Sequence, residues 1–355
     1  MTSFDNAGHP DVASAVITSA ASIEPKAIEH LWPGVLYIGK PTLLVGDPGL
    51  GSLVTADIAA RVSTGRSWPL CAENAGAGDV LMCSAEDDPG DTIVPRLIAA
   101  GADRNRVEFF DGVLETDVDG EQRIKALALD RHIDQLAAVA ARKKGRLKLV
   151  IVDPVAAFLG ATDSHKNAEI RGLLAALARI AAEYRFAVCV VAHLNKGTGA
   201  SAIYRISGSV AFVAAARAAY AVVRDPQDPL RRLVLPVKNN LGADSFGFSY
   251  AINVADNDAP YVAWGEQAVK EETADQVLGG THLTPRQEAI NADVRAVCKW
   301  LKEALAKEAQ PAADMWKQSE EKGFSKRDVE RAKRRLGVRA AAKGFAGRWQ
   351  WELPR

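Results

Sequence analysis

The fold of this chain is decided by residues Pro41–Gly65, which read PTLLVGDPGLGSLVTADIAARVSTG. A short apolar run, Thr42–Val45, enters a glycine-rich turn, and apolar residues at helical spacing follow. This order is typical of a phosphate-binding loop, because glycines let backbone N–H groups face an anion at a helix N-terminus. An ordinary turn between a strand and a helix is the alternative. The predicted anion contacts come from Gly46, Asp47, Pro48, Gly49, Leu50, Gly51, Ser52 and Leu53.

The lysine of this motif is absent, since Gly51 is followed directly by Ser52 and Leu53. Two registers are open. If the loop keeps its usual length, Ser52 occupies the lysine position and Leu53 the position of the Mg²⁺ ligand. If the helix keeps its register, Ser52 is the Mg²⁺ ligand and the loop is one residue short. In both cases the chain lacks the ammonium group that contacts the terminal phosphates and stabilises the transition state.

Other apolar runs end in side chains suited to phosphate chemistry. The run Asp79–Ala85 leads into Glu86, and the run Leu147–Asp153 ends in a carboxylate that can hold Mg²⁺. A third run ends at His193, which we interpret as a sensor of the terminal phosphate, with a core histidine as the alternative. Ligands of open α/β sheets bind at the carboxyl ends of the strands, so these side chains are expected to meet the glycine turn there.

Strand-like and helix-like segments alternate along most of the chain, which predicts an α/β domain with a mostly parallel sheet. We place this domain at residues 31–270, after a loose tail over 1–30. The polar stretch 271–283 contains two adjacent glycines and is expected to be a linker. A smaller α+β domain is expected over 284–355.

Composition indicates the compartment. The four cysteines, Cys71, Cys83, Cys189 and Cys298, are widely spaced without a CxxC pair, which is typical of buried thiols rather than of a metal site or a disulfide framework. The sequence has no apolar run of membrane-spanning length, and it does not start with a basic region followed by an apolar stretch. We therefore expect a cytoplasmic protein without a membrane partner.

Charge is distributed unevenly although the net charge is zero. Residues 281–355 hold 17 Lys and Arg against 10 Asp and Glu, a net of +7, and the remainder carries −7.

In this basic part, the Ser325 hydroxyl is expected to start a helix in a capping box with Asp328. Three helices and a hairpin turned at Gly344–Gly347 outline a winged helix that binds DNA. A packing module with a solvated basic face is the alternative. The residues expected at DNA are Lys326, Arg327, Arg331, Arg334 and Arg335.

A segment of small residues, 197–208, carries Tyr204 and Arg205. A basic and aromatic pair on a mobile loop can stack on single-stranded DNA and neutralise its charge. A plain surface loop is the alternative.

Together these motifs resemble the RepA-like branch of the RecA/DnaB-type P-loop ATPases, which are similar to hexameric replicative helicases of plasmids. The likeness covers about residues 32–238 and rests on the order of the glycine turn, Glu86, Asp153, the segment His193–Lys196 and the segment 206–217. Residues 284–355 resemble the winged-helix domain that is appended to some of these ATPases.

The resemblance implies a Walker A loop at Gly46–Ser52, a general base at Glu86, a Walker B Mg²⁺ ligand at Asp153 and a phosphate sensor at His193. It also implies ATP and Mg²⁺ as cofactors and a homo-oligomer, in the form of a hexameric ring with single-stranded DNA in its pore.

Two basic residues later in the chain are implied to act across subunits. Lys238 would reach a neighbour's nucleotide, and Arg217 would assist it or support the site. The sequence departs from the family pattern at the missing lysine and at Asn240, which stands where a second basic residue often follows.

Three functions are compatible with these observations. The leading one is an ATPase of DNA replication or of a mobile element, in the form of a ring-forming helicase or translocase. The second is a degenerate nucleotide-binding or structural protein that binds DNA with little hydrolysis. The third is a regulator of transcription or copy number with the ATPase domain as its sensor. Glu86, Asp153 and His193 favour turnover, whereas the missing lysine argues against it.

Overall fold

The computed structural model describes residues 17–46, 49–74, 76–116, 119–162, 166–193, 210–242, 246–278, 296–306, 308–342 and 349–353. The described chain divides into two compact units. Unit 1 extends to Thr273, and unit 2 runs from Ala274 to the end of the chain. A short helix, Ala274–Leu278, lies within the stretch 271–283 that we predicted to be a linker.

Unit 1 is built on a large sheet. Its strands are β1 (His30–Trp32), β2 (Leu36–Tyr37), β3 (Pro41–Gly46), β4 (Asp79–Ser84), β5 (Val107–Phe109), β6 (Val113–Thr116), β7 (Gln122–Lys125), β8 (Leu147–Asp153), β9 (Ala187–His193), β10 (Ala218–Asp225), β11 (Asp228–Asn239), β12 (Phe248–Val254) and β13 (Pro260–Trp264). Within the described residues, nine strands form one sheet in the order β5-β4-β8-β9-β3-β10-β11-β12-β13. Neighbours from β5 to β10 are parallel, and neighbours from β10 to β13 are antiparallel.

The helices of unit 1 are α1 (Leu50–Thr64), α2 (Val94–Ala99), α3 (Ile133–Arg142), α4 (Asn167–Glu183) and α5 (Val210–Ala215), and a π-helical turn, Pro89–Ile93, leads into α2. Strands β8 and β9 are buried almost throughout, as expected for parallel strands covered on both faces. Helix α1 is held to β13 by Asp57, whose Oδ2 accepts a 2.7 Å hydrogen bond from Nε1 of Trp264. The α/β fold with a mostly parallel sheet is thus confirmed.

Two parts of unit 1 differ from the sequence-based expectation. Residues 111–125 show no continuous apolar run in the sequence, but β6 and β7 pair there as an antiparallel hairpin. We did not predict β12 and β13, which extend the sheet beyond β11. Both regions have exposed polar residues next to apolar ones, so neither reads as the continuous apolar run that identifies a central strand.

Unit 2 is a small α+β structure with its own core. It contains α6 (Ala274–Leu278), α7 (296–305), α8 (Ala312–Glu321), α9 (Lys326–Leu336), β14 (Gln310–Pro311), β15 (Arg339–Ala342) and β16 (Trp349–Glu352). The strands pair antiparallel in the order β14-β16-β15 within the described part of this unit. The Asp328 amide donates a 3.1 Å hydrogen bond to the Ser325 hydroxyl, which is the predicted cap of α9. The buried core is formed by Val297, Trp300, Leu301, Leu305, Met315, Val329, Ala332 and Trp351.

Candidate functional site

The glycine turn joins the end of β3 to the start of α1. Strand β3 ends at Gly46 and α1 begins at Leu50, with Gly49 at the N-cap in a left-handed conformation, φ +83°. Among the described contacts no side chain caps this end of α1, so its first backbone N–H groups are available to an anion. Asp47 and Pro48 of the predicted loop lie outside the described residues.

Two glycines of the turn have no room for a side chain. A Cβ on Gly46 would lie 2.8 Å from the backbone oxygen of Val222 on β10. A Cβ on Gly51 would lie 2.9 Å from Cγ1 of Val191 on β9. These close approaches fix the turn against the carboxyl ends of the parallel strands, where ligands of such sheets bind.

A cleft opens at this edge of unit 1. It brings together the turn, the ends of β4, β8 and β9, and the start of the following segments. Its described lining is Gly49, Gly51, Ser52, Ser84, Glu86, Asp87, Arg96, Asp153 and His193. The sequence-predicted catalytic acids and the histidine therefore share one cleft with the glycine turn.

The two residues after the glycine turn differ in their exposure to the cleft. Ser52 lines the cleft. Leu53 is 4% exposed and belongs to the hydrophobic core, as does Leu50. A buried aliphatic side chain cannot be a metal ligand, which argues against the register that puts Leu53 at the Mg²⁺ position, whereas a phosphate contact of the Leu53 backbone N–H stays a prediction. Ser52 brings a hydroxyl group to the cleft, as the register with Ser52 as the Mg²⁺ ligand predicts.

Asp153 is a buried carboxylate at the end of β8. Its Cα partner across the sheet is Ser84, the last residue of β4. The hydroxyl of Thr55, one helical turn into α1, donates a 3.5 Å hydrogen bond to Oδ2 of Asp153. The carboxylate therefore points toward the start of α1, next to Ser52 in the cleft.

The environment of Asp153 shifts its ionisation. Burial is the largest cause and raises the pKa of Asp153 to about 6. His193 opposes this rise, whereas the carboxylates of Asp87 and Glu86 add to it. The cleft thus disfavours the negative charge of Asp153 until a cation arrives.

Glu86 and His193 contact each other across the cleft. Nε2 of His193 lies 3.2 Å from Oε2 of Glu86. His193 is the last residue of β9 and the Cα partner of Gly46, so the sheet register places it beside the glycine turn. The His193 side chain is 26% exposed and that of Glu86 is 59% exposed, so solvent reaches the pair.

Sequence reasoning missed Arg96, which also lines the cleft. Nη1 of Arg96, on α2, donates a 2.6 Å hydrogen bond to Oδ2 of Asp87. The next residue, Asp88, accepts hydrogen bonds from the amides of Gly90 and Asp91, which fixes the turn into α2. Arg96 stands in a mixed apolar and polar helix without a motif around it, so the sequence offers no signal that separates it from other arginines.

Lys238 is hydrogen-bonded within its own chain, and its action across subunits stays a prediction. Its Nζ donates hydrogen bonds to the carbonyl oxygens of Val213, Ala214 and Ala216, at 2.9, 3.0 and 2.8 Å. The ammonium group therefore closes the C-terminal end of α5, where cations are favoured. Burial lowers the pKa of Lys238, and nearby Arg217 lowers it further.

The predicted DNA residues of unit 2 are placed in part. Lys326 and Arg327 are exposed at the start of α9. Arg331 is 29% exposed and lies 3.6 Å from Asp328. The positive charges of Lys326 and Arg327 are therefore more accessible to solvent than that of Arg331. Tyr204 and Arg205, and the side chains of Arg334 and Arg335, lie outside the described residues.

A family model described as an AAA domain matches residues 9–199, more than half of the chain. The chain belongs to this AAA domain family. The matched range of the AAA domain includes the glycine turn and the side chains of the cleft, so the chain carries a nucleotide-binding ATPase domain of the P-loop type. A comparison with curated proteins found no match. Among the described helices, none is long and apolar enough to cross a bilayer.

The residues of the AAA domain fit a triphosphate with Mg²⁺. The first backbone amides of α1 suit phosphate oxygens, and oxygen donors such as Ser52 and Asp153 suit Mg²⁺. Within the described ranges, no group of three or more His, Cys, Asp or Glu side chains is arranged to hold a metal ion.

Proposed function

We propose that this protein binds ATP with Mg²⁺ in the cleft of unit 1 and acts on DNA, as a ring-forming helicase or translocase of DNA replication or of a mobile element. One observation carries the ATP part of the proposal. Four parallel segments end at a single edge of the sheet, and there they bring together the glycine turn, Glu86, Asp153 and His193.

Glu86 acts as the general base in this proposal. Its carboxylate takes the proton of the attacking water, and its exposure of 59% leaves an oxygen accessible beside the hydrogen bond to His193. His193 orients Glu86, and it reports the terminal phosphate from the end of β9. Loss of the terminal phosphate would thus move both His193 and Glu86.

Ser52 and Asp153, which line the same cleft, would hold Mg²⁺. When bound, Mg²⁺ supplies positive charge to the phosphate oxygens and stabilises the charge that develops on them. Asp153 must be ionised to take part, and its pKa of about 6 makes this step pH-dependent near neutrality. The Thr55 hydroxyl lies 3.5 Å from Oδ2 of Asp153, on the side of the carboxylate that faces α1.

Charge and family resemblance support the DNA part of the proposal. Residues 281–355 carry a net charge of +7, and Lys326 and Arg327 present exposed cations at the start of a helix. We propose that unit 2 is a winged helix that contacts duplex DNA phosphates with α9. The loop with Tyr204 and Arg205 would contact single-stranded DNA in the pore of a homo-oligomer.

Two observations favour a second candidate, a nucleotide-dependent DNA-binding regulator with little hydrolysis. The Walker A lysine is absent. In addition, Lys238 is engaged by three carbonyl oxygens of its own chain, so it must leave them before it can reach another subunit. Both features reduce transition-state stabilisation more than they reduce ATP binding.

The two candidates are separated by measuring binding and turnover on the full chain. Calorimetry with ATP and Mg²⁺ tests the site, and phosphate release with and without single-stranded DNA tests the motor. We expect ATP binding and DNA-stimulated release that Glu86→Gln abolishes. Binding without release above that of Glu86→Gln would favour the regulator, and no uptake of ATP would overturn both candidates.

A further inference from the structure

Without the Walker A lysine, the cleft lacks a loop cation to balance its negative charge. Glu86, Asp87 and Asp153 place acidic groups in it, and a triphosphate would add more negative charge. Among the described lining residues, Arg96 is the one lysine or arginine. A P-loop site needs a cation other than Mg²⁺ at the terminal phosphates, because charge there grows in the transition state.

Arg96 has the chemistry to fill this need. Its guanidinium is charged at every physiological pH and offers several N–H donors in a planar fork, which matches two phosphate oxygens at once. The side chain is 21% exposed, so the group is partly withdrawn from water but still reaches the cleft. Partial burial strengthens its attraction to an anion relative to a fully solvated arginine.

The partner of Arg96 is suited to exchange. Asp87 holds the guanidinium through a 2.6 Å hydrogen bond and is itself 33% exposed. A phosphate is an acceptor of the same kind with greater charge, and it would repel the Asp87 carboxylate that lines the same cleft. The ion pair therefore keeps Arg96 extended toward the site until a more strongly charged acceptor replaces Asp87.

We propose that Arg96 replaces the missing Walker A lysine, by exchanging the carboxylate of Asp87 for the terminal phosphates of the bound nucleotide. This inference rests on the proposed function, since it assumes that the cleft takes ATP. The positive charge that the glycine turn lacks would then come from Arg96 on α2, a different element of the same unit. Arg96 is thus a binding residue whose effect depends on the absence of the loop lysine.

The dependence on the lysine gives a double-variant test. The test uses four proteins. Two are the natural chain and its Arg96→Gln variant, and the other two are the same proteins with a lysine inserted between Gly51 and Ser52. Each protein is titrated with ATP that carries an N-methylanthraniloyl fluorophore, in the presence of Mg²⁺. We expect Arg96→Gln to raise the Kd about 10- to 100-fold in the natural chain, the size of a lost charged hydrogen bond. With the inserted lysine, the rise should be about threefold or less.

The variant Asp87→Asn tests whether Arg96 supplies charge to the phosphates or only supports the local fold. It breaks the same ion pair but leaves Arg96 in place. If Arg96 supplies charge to the phosphates, Asp87→Asn leaves ATP binding unchanged or tightens it. If the pair only supports the local fold, Asp87→Asn weakens binding as much as Arg96→Gln does, and the proposal is overturned. Arg104→Gln, at an exposed arginine outside the cleft lining, controls for a general loss of positive charge.

The outcomes distinguish this inference from the proposed function. ATP binding by the natural chain that Arg96→Gln does not change would overturn the inference and keep the proposed function. An equal loss with and without the inserted lysine would show an arginine contact that does not replace the lysine, which also overturns it. If neither the natural chain nor the lysine-inserted chain binds ATP, the proposed function itself fails.

Discussion

Oε2 of Glu86 lies 3.2 Å from Nε2 of His193, although 107 residues separate the two in the sequence. They follow β4 and end β9, and β8 lies between these strands in the sheet. The contact therefore spans the carboxyl ends of three parallel strands. In this arrangement the order of the strands, and not local sequence, brings the carboxylate of Glu86 and the imidazole of His193 together.

The first prediction concerns this pair. Glu86→Gln should lower phosphate release about 100-fold or more, because an amide cannot accept the proton of the attacking water. The Kd of ATP should change little, since the amide keeps the shape of the side chain. Single-turnover phosphate release and fluorescent ATP titration measure the two quantities.

The measurement is made on both the natural chain and the chain with the inserted lysine, so that slow turnover cannot hide the effect. Glu73→Gln, at an exposed glutamate away from the cleft lining, is the matched control. Equal rates for Glu86→Gln and Glu73→Gln in both backgrounds would remove Glu86 from the role of general base.

The second prediction uses the buried charge of Asp153. Burial raises its pKa from 3.8 to about 6, so the folded state binds a proton more tightly than the unfolded state. The ionised carboxylate then costs stability above pH 6, the cost declines as the pH falls through 6, and it is absent below about pH 4. Asp153→Asn should raise the free energy of unfolding by at most about 3 kcal/mol at pH 8 and leave it nearly unchanged at pH 4.

Urea unfolding at pH 8 and pH 4, without nucleotide, measures this difference. The same variant should lose Mg²⁺-dependent ATP binding, because an amide is a poor ligand for Mg²⁺. Asp57→Ala is a contrasting control, since Asp57 accepts 2.7 Å hydrogen bonds from Arg61 and Trp264 and its loss destabilises the fold. A stability of Asp153→Asn below that of the natural chain at pH 8 would contradict the assigned cost of burial.

Whether a residue of the candidate site could be predicted from the sequence depends on whether it belongs to a recognisable sequence pattern. Asp153 and His193 end continuous apolar runs, and buried parallel strands have that pattern wherever they occur. The fold and the meeting of these groups with the glycine turn could therefore be predicted. Arg96 could not, because an arginine in a short helix has no pattern of its own, and only the three-dimensional fold brings it to the cleft.

Two further features of the structure could not be predicted from the sequence, for the same reason. Leu53 stood in one of two registers that differ by a single residue, and sequence alone cannot tell which side of a helix faces the core when apolar residues surround the turn. Lys238 resembled a cation that acts between subunits, but its hydrogen bonds to the end of α5 depend on the pairing of β10 with β11. Hydrogen bonds of this kind are tertiary contacts without a signature in the sequence.

The third prediction tests the structural role of Lys238. Lys238→Met should lower the free energy of unfolding by about 3 kcal/mol, because three carbonyl oxygens at the end of α5 lose a charged donor. Chemical denaturation of the full chain measures this loss. Lys26→Met, at an exposed lysine, should change stability little. If Lys238→Met kept full stability but lost ATP turnover, the lysine would act on the nucleotide of another subunit and not on its own helix.

The last prediction concerns the start of α9. The double variant Lys326→Ala with Arg327→Ala should weaken the binding of duplex DNA, because the two side chains are exposed cations on the helix that we propose contacts phosphates. Loss of two phosphate contacts should also reduce the slope of log K against log salt by about 2. Fluorescence anisotropy of a labelled duplex at several salt concentrations gives both numbers.

A control with the same change in net charge makes this result specific. Arg104→Ala with Arg142→Ala removes two exposed arginines from unit 1. If DNA binding were a general effect of positive charge, both double variants would weaken it equally. A larger loss and a smaller salt slope for the α9 variant alone would place the contact on unit 2, because only a direct phosphate contact releases counterions at that position. Unchanged binding by the α9 variant would exclude this face of α9 as the DNA contact.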